Sequence, residues 1–108
     1  MPETHETLLA ASAADGPPAT LVLPVRVDLT AVRGLAADLR ARSDAALVID
    51  ASRVEVLGGL GLQLLLAACQ TWSRAGRRLT FGPRSADFDR ALAQFGVVVS
   101  QLECGAQA

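Results

Sequence analysis

The segment 60–72 limits most strongly what this chain can fold into, because apolar residues occupy almost all of it. Its polar line runs through Gln63, Gln70 and, just beyond, Arg74, spaced i, i+7, i+11 on one side of a helix. The pattern predicts a helix over 60–75 that Gly76 ends. Burial of its five leucines would contribute on the order of 10 kcal/mol. A sheet covers about half of such a helix, so the rest must meet neighbouring helices, a second copy of the chain or a partner.

Strand patterns flank this helix on both sides. Residues 47–49 are a short apolar run rich in β-branched side chains that ends in Asp50, which is typical of a central strand covered on its faces. A further strand is predicted over 77–81, closed by the Gly-Pro pair at 82–83. Residues 19–23 predict a strand after the turn signal at 15–18, in a hairpin with an edge strand at 6–11.

Two more helices are predicted from their caps and apolar stripes. Asp28 or Thr30 caps the first, and Ser85 caps the last. The stripe of the first consists of Val32, Leu35, Ala36 and Leu39, and that of the last of Phe88, Leu92 and Phe95. Gly96 ends the last helix, and residues 97–99 predict a final strand.

The alternation of strands and helices predicts the fold class. We expect an α/β protein with a small mixed, centrally parallel sheet of four to five strands and about three helices. A length of 108 residues suits one domain. Residues 1–5 are expected to form a flexible N-terminal arm, and residues 6–108 the domain.

Charge and cysteine content exclude several classes of function. Ten arginines against eleven acidic residues leave a net charge of -1, so no positive field attracts nucleic acid. Cys69 and Cys104 lack a CxxC pair or a histidine cluster, which argues against a disulfide framework and a zinc site. The first six residues are acidic where a secretion signal is basic, and the apolar runs fall short of the roughly 18 residues that cross a membrane. We therefore expect a cytoplasmic protein without direct membrane insertion.

The chain lacks the spacing of a catalytic or cofactor site. His5 is the single histidine, so a histidine-based triad cannot be built. Asp50 and Glu55 are better explained as a strand-ending carboxylate that binds loop amides and an exposed side chain than as an acid–base pair. The glycine-rich segment 58–61 has neither the spacing nor the lysine of a phosphate-binding loop. We expect no enzymatic activity, no metal and no cofactor.

Two other features have both a structural and an interface interpretation. Trp72 belongs to the core or, if it is exposed, is the strongest anchor for a partner. An arginine cluster lies where the long helix ends, as a solvated cap or as a contact for an acidic partner; it consists of Arg74, Arg77, Arg78 and Arg84.

The run LVIDASRVEVL at 47–57, followed by GGLGLQLL at 58–65, resembles the signature of the STAS domain family. In that family a central strand ends in an Asp-Leu-Ser type turn, and an Asp-Ser-Ser-Gly-Leu type loop opens the next helix. The similarity extends at lower strength over residues 21–96. It implies a STAS-like fold and a partner-binding surface, which we place on the loop 52–57 and on Leu57, Gly58, Gly59, Leu60, Gly61, Gln63 and Gln70.

The departure from the family pattern is as informative as the match. Anti-sigma factor antagonists of this family carry an aspartate and a phosphorylatable serine where this chain has Gly58 and Gly59. Gly59 is thus the equivalent of the phosphorylation site, and it has no hydroxyl to receive a phosphate.

The glycine-rich string is most similar to STAS-like proteins of bacterial chemotaxis clusters. The resemblance implies a regulatory protein whose partner is a kinase-type ATPase domain, an anti-sigma factor or a chemotaxis component, with a homodimer left open. The alternative is the STAS subunit of a phospholipid-transporting ABC system, although the threonine common in that loop is absent here.

Overall fold

Strands and helices alternate along the chain as the sequence predicts, and two short strands that it did not predict, at 26–27 and 56–57, are added. The structure is a computed structural model that describes residues 17–105. The elements are β1 (Ala19–Val22), β2 (Arg26–Val27), α1 (Leu29–Ala41), β3 (Leu47–Ala51), β4 (Val56–Leu57), α2 (Gly59–Arg74), β5 (Leu79–Arg84), α3 (Ala86–Gln94) and a 3₁₀ helix (Val99–Leu102). The predicted arm at 1–5 and edge strand at 6–11 lie outside the described residues.

β3 is the central strand of a parallel sheet, with β1 on one side and β5 on the other. Leu47, Ile49 and Ala51 are at most 1% exposed, whereas Val48 and Asp50 between them are half-buried. One face of β3 therefore lies in the core, and the other is only partly covered. The prediction that both faces of this strand are covered is confirmed for the first face and only in part for the second. The α/β class and the parallel centre are confirmed.

The remaining strands form a separate parallel pair in which Val27 of β2 lies opposite Leu57 of β4. The five strands of residues 17–105 thus divide into a sheet of three and a sheet of two. Each strand of the short pair leads into a helix within two residues, β2 into α1 and β4 into α2. Since the two strands run in the same direction, both helices begin at the same end of the pair.

Local signals set the ends of α1 and α2 as predicted. Asp28 is the N-cap of α1, and its carboxylate accepts a hydrogen bond from the backbone N–H of Thr30 at 3.2 Å. At the end of α2, Gly76 has φ +71°, and its N–H donates to the carbonyl of Ser73 while the N–H of Arg77 donates to that of Trp72. These two bonds form a Schellman motif, so Gly76 ends the helix as the sequence predicts.

α2 buries less of its apolar surface than its composition suggests. Of its five leucines, Leu62 and Leu65 are buried, Leu64 is half-buried, and Leu60 and Leu66 are 46% and 37% exposed. Full burial is worth about 1.5–3 kcal/mol per leucine, so α2 obtains roughly half of the contribution that five buried leucines would give. The buried side of α2 contacts α1 and β5.

Trp72 completes the buried side of α2. It is 2% exposed, and its indole N–H donates a 2.8 Å hydrogen bond to the carbonyl of Ala45, in the turn before β3. Burial with a satisfied N–H confirms the core interpretation of this tryptophan and excludes it as a surface anchor.

β5 is longer than predicted and starts later. It spans Leu79–Arg84, so Gly82 and Pro83 lie inside the strand instead of closing it. The register against β3 shifts here, since Phe81 pairs with Ile49 and Arg84 with Ala51. Such a bulge accommodates proline, which has no N–H to donate to the neighbouring strand.

The predicted strand at 97–99 is wrong. Gly96, with φ +75°, ends α3, and the N–H of Val97 turns back to the carbonyl of Leu92 at 2.9 Å. The chain then forms the 3₁₀ helix, whose start is fixed by a 2.8 Å bond from the N–H of Val98 to the side chain of Gln101. Pairing follows only later, as one antiparallel bridge between Leu79 and Cys104.

Gly61 allows α2 to lie directly against β2. A Cβ at this position would come within 2.6 Å of Cγ1 of Val27 and would overlap its carbonyl oxygen. A Cβ at Gly59, two residues earlier, would meet no atom within 4 Å. The two glycines therefore serve different purposes, and only Gly61 is required by packing.

We predict that Gly61→Ala destabilises the protein by about 1–3 kcal/mol, because the added methyl group forces α2 away from β2. Gly59→Ala is the matched control, since both positions are helical and gain the same helix propensity. It should leave stability unchanged or raise it by up to about 1 kcal/mol. Urea unfolding followed by circular dichroism measures both. Equal stability of the two variants would contradict the close contact.

Candidate functional site

The turn after β3 is built around Asp50. One of its carboxylate oxygens accepts from the backbone N–H of Ser52 at 2.9 Å and from the Ser52 hydroxyl at 2.6 Å. The hydroxyl bond is the main reason why the pKa of Asp50 lies below its usual value of 3.8. The interpretation of Asp50 as a strand-ending, amide-binding carboxylate is confirmed, and Glu55 is exposed as predicted.

Backbone and side-chain hydrogen bonds fix the predicted loop 52–57, whose last two residues form β4 and lead to α2. Val54 is 1% exposed, and its carbonyl accepts a 2.5 Å bond from the hydroxyl of Ser85. The N–H groups of Glu55 and Val56 both donate to the carbonyl of Val25, at 2.8 and 3.1 Å. The loop is therefore held from two sides and presents one defined shape.

The glycine-rich start of α2 divides into an inner and an outer part. Leu57 is 6% exposed and Gly61 is buried against β2, so neither is open to a partner. Gly58 is half-buried beside Asp28, whereas Gly59 and Leu60 are exposed. Of the segment 57–61, a partner can therefore touch mainly Gly59 and Leu60.

The predicted contact residues Gln63 and Gln70 are also exposed, on the same side of α2 as Gly59. Leu66 lies between them in the helical spacing and is 37% exposed, although the sequence did not single it out. We call Gly59, Leu60, Gln63, Leu66 and Gln70 the outer face of α2. It combines two leucines with two amide side chains and carries no charge.

A second apolar residue that the sequence did not identify lies at the start of α1. Leu29 is 73% exposed, and its helix begins at the same end of the β2–β4 pair as α2. The helical spacing gave no signal of this exposure, because Leu29 lies three residues before Val32 and seven before Ala36, both of which belong to the predicted apolar stripe.

The two helix starts differ in charge. Asp28 caps α1, and its carboxylate also binds the Thr30 hydroxyl at 2.8 Å and Nε of Arg26 at 3.0 Å. The Thr30 hydroxyl bond is the main cause that lowers the pKa of Asp28. Gly58 caps α2 without a side-chain hydrogen bond, and the first turn of α2 holds no acidic residue. The start of α2 thus presents backbone N–H groups alone.

The arginine cluster does not act as a unit. Nε of Arg84 pairs with Asp89 at 2.7 Å, and Nε of Arg77 donates to the carbonyl of Ser43 at 3.4 Å. Arg74 and Arg78 are exposed. At least two of the four arginines therefore have partners within the chain.

A groove of about 250 Å³ runs between α1 and α2, lined among others by Leu39, Leu64 and Ala67. Within residues 17–105, no group of three histidine, cysteine or carboxylate side chains could hold a metal ion. No helix of the described chain is long and apolar enough to cross a membrane.

The structure brings together two cysteines that the sequence gave no reason to pair. Sγ of Cys69 in α2 lies 3.6 Å from the carbonyl oxygen of Glu103, the residue directly before Cys104. The packing of the 3₁₀ helix on α2 and the antiparallel bridge from Leu79 to Cys104 create this proximity, and no sequence spacing signals it.

Comparison with protein-family models and with curated proteins gives no match for this sequence. The function of this chain is therefore proposed from the sequence resemblance and from the geometry of the site.

We predict that Asp50 makes part of the stability depend on pH. Because its folded-state pKa is lowered, its contribution is complete above the usual value of 3.8 and is lost as the pH falls through the lowered pKa. Between about pH 6 and about pH 3, the wild type should lose more unfolding free energy than Asp50→Asn, whose amide oxygen does not titrate.

Denaturant unfolding at both pH values is the measurement. Asp44→Asn is the control, since it removes an exposed carboxylate from the turn after α1 without touching the Asp50 turn. It should retain the wild-type pH difference. If Asp50→Asn loses as much stability as the wild type, the Asp50–Ser52 turn does not contribute to the pH dependence.

Proposed function

We propose that this chain is a STAS-type regulatory protein of bacterial signalling, cytoplasmic and without enzymatic activity, that binds a protein partner through the outer face of α2. The observation that carries the proposal is the exposure of Gly59 and Leu60 at the start of α2. These are positions at which the family resemblance places the partner contact. The partner we propose is a kinase-type ATPase domain, an anti-sigma factor or a chemotaxis component.

The composition of the outer face suits protein binding. Leu60 and Leu66 offer apolar surface that a partner removes from water, at about 25 cal/mol per Å². Gln63 and Gln70 supply hydrogen-bond donors and acceptors around them, as in the polar surroundings of many interfaces. No charge has to be desolvated on this face when the partner binds.

The rigidity of the adjacent loop also favours binding. The loop 52–57 is already fixed by the bonds of Val54, Glu55 and Val56, so little conformational entropy is lost when a partner covers it. Exposed Leu29 at the neighbouring helix start extends the apolar surface toward α1.

The site lacks the phosphate acceptor that regulates the family's antagonists. Gly59 has no hydroxyl. The nearby hydroxyl of Ser52 donates to Asp50, and that of Thr71 donates to the carbonyl of Ala67 at 3.1 Å. The proposed contact is therefore not switched by phosphorylation of residue 59, and its regulation depends on the partner or on a different position.

We predict that Gly59→Asp and Leu60→Asp each weaken partner binding at least about tenfold, because they place a charge in the centre of the contact. Both substitutions put a carboxylate in the first turn of a helix, where the helix dipole favours it, so folding is preserved. Val98→Asp is the matched control. It changes an apolar residue that is 61% exposed, at the start of the 3₁₀ helix and outside the proposed contact.

Affinity purification from the native cell with mass spectrometry identifies the partner, and calorimetric titration of the purified pair measures Kd for each variant. Equal affinity of Gly59→Asp and the wild type would refute the site. Recovery of a permease and its ATPase would support the transporter alternative instead. If Val98→Asp weakens binding as much as Leu60→Asp does, the contact is not specific to the outer face of α2.

A further inference from the structure

The last described residues are anchored firmly beside α2. Leu102 is fully buried. The N–H of Leu79 donates to the carbonyl of Cys104 and the N–H of Cys104 donates to that of Leu79, both at 3.0 Å. A carboxylate oxygen of Glu103 accepts from the N–H of Phe81 at 2.7 Å. The backbone on both sides of Cys104 therefore has a fixed position relative to β5.

Cys69 faces this anchored segment from α2. Its Sγ lies 3.6 Å from the carbonyl oxygen of Glu103 and 3.9 Å from that of Gln101. Sγ of Cys104 lies 3.5 Å from the carbonyl oxygen of Arg77, which follows the turn that ends α2. The Cys69 thiol thus faces the backbone directly before Cys104, and the Cys104 thiol lies against the connection between α2 and β5.

The pKa of Cys104 also reflects the nearness of Cys69. The pKa of Cys104 is raised, chiefly by burial and further by the charge and hydrogen bonding of Cys69. Both cysteines are free and half-buried, so a small reagent can reach them.

We propose that Cys69 and Cys104 close into a reversible intramolecular disulfide, with a low-molecular-weight disulfide as the oxidant. The thiolate of one cysteine attacks a sulfur of the oxidant and releases its first thiolate, which leaves a mixed disulfide on the protein. The thiolate of the other cysteine then attacks the protein sulfur of this mixed disulfide and releases the second thiolate. In sum, the two cysteines lose two electrons and two protons, and the oxidant becomes two thiols.

The disulfide connects the C-terminal segment covalently to α2. It closes the chain between residues 69 and 104, so it removes many conformations from the unfolded state. The inference goes beyond the proposed function and does not depend on it.

The test exposes the purified full-length protein to oxidised glutathione and measures three quantities. The intact mass should fall by two hydrogen atoms without a retained glutathione. The denatured product should show no free thiol, and dithiothreitol should restore the original mass and the two free thiols. The midpoint of thermal unfolding should rise by about 10 °C. Closure should accelerate at alkaline pH, because the raised pKa of Cys104 keeps its thiol protonated at neutral pH.

Single-cysteine variants separate a placed pair from general reactivity. Cys69→Ser and Cys104→Ser should each retain one glutathione, and neither should gain thermal stability. Two glutathiones on the wild type, or closure without a rise in the unfolding midpoint, would overturn the proposal. Since the wild type is itself the test protein, an unfolded variant cannot obscure the result.

Discussion

The close approach of α2 to β2 depends on one contact, between Gly61 and the backbone of Val27. Because Gly61 has no side chain, the first turn of α2 can approach β2 closely. The hydrogen bond from the N–H of Gly58 to the carbonyl of Val27 fixes where the start of α2 lies along β2. Residues two apart in a helix point in nearly opposite directions. Packing Gly61 inward therefore turns Gly59 outward, and the candidate site follows from the same contact that holds the helix in place.

Features set by neighbouring residues could be predicted from the sequence. Asp28 and Ser85 act as helix caps and Gly76 and Gly96 as helix ends, because each needs only a few adjacent backbone groups. Features set by distant contacts could not. The valines at 97–99 favour a strand by propensity, but the chain turns at Gly96 and the Gln101 side chain fixes the start of a 3₁₀ helix at Val99. The bulge at Pro83 likewise depends on β3.

The sequence located the glycine-rich start of α2, but it did not show which residues there are exposed. Its pattern could not show that Leu57 and Gly61 are turned inward and that Leu29 and Leu66 are exposed. Exposure depends on how each helix is rotated against the sheet, and tertiary packing determines this rotation. The proximity of Cys69 to Cys104 could not be predicted from the sequence either. It depends on the bridge between Leu79 and Cys104, which are far apart along the chain.

Ser85 connects two parts of the molecule through one hydroxyl group. Its Oγ accepts from the N–H of Phe88 as the cap of α3 and donates to the carbonyl of Val54 in the loop before α2. The loop cannot shift without either breaking this bond or moving the cap of α3 with it. A ligand that displaced the loop would therefore also change the start of α3.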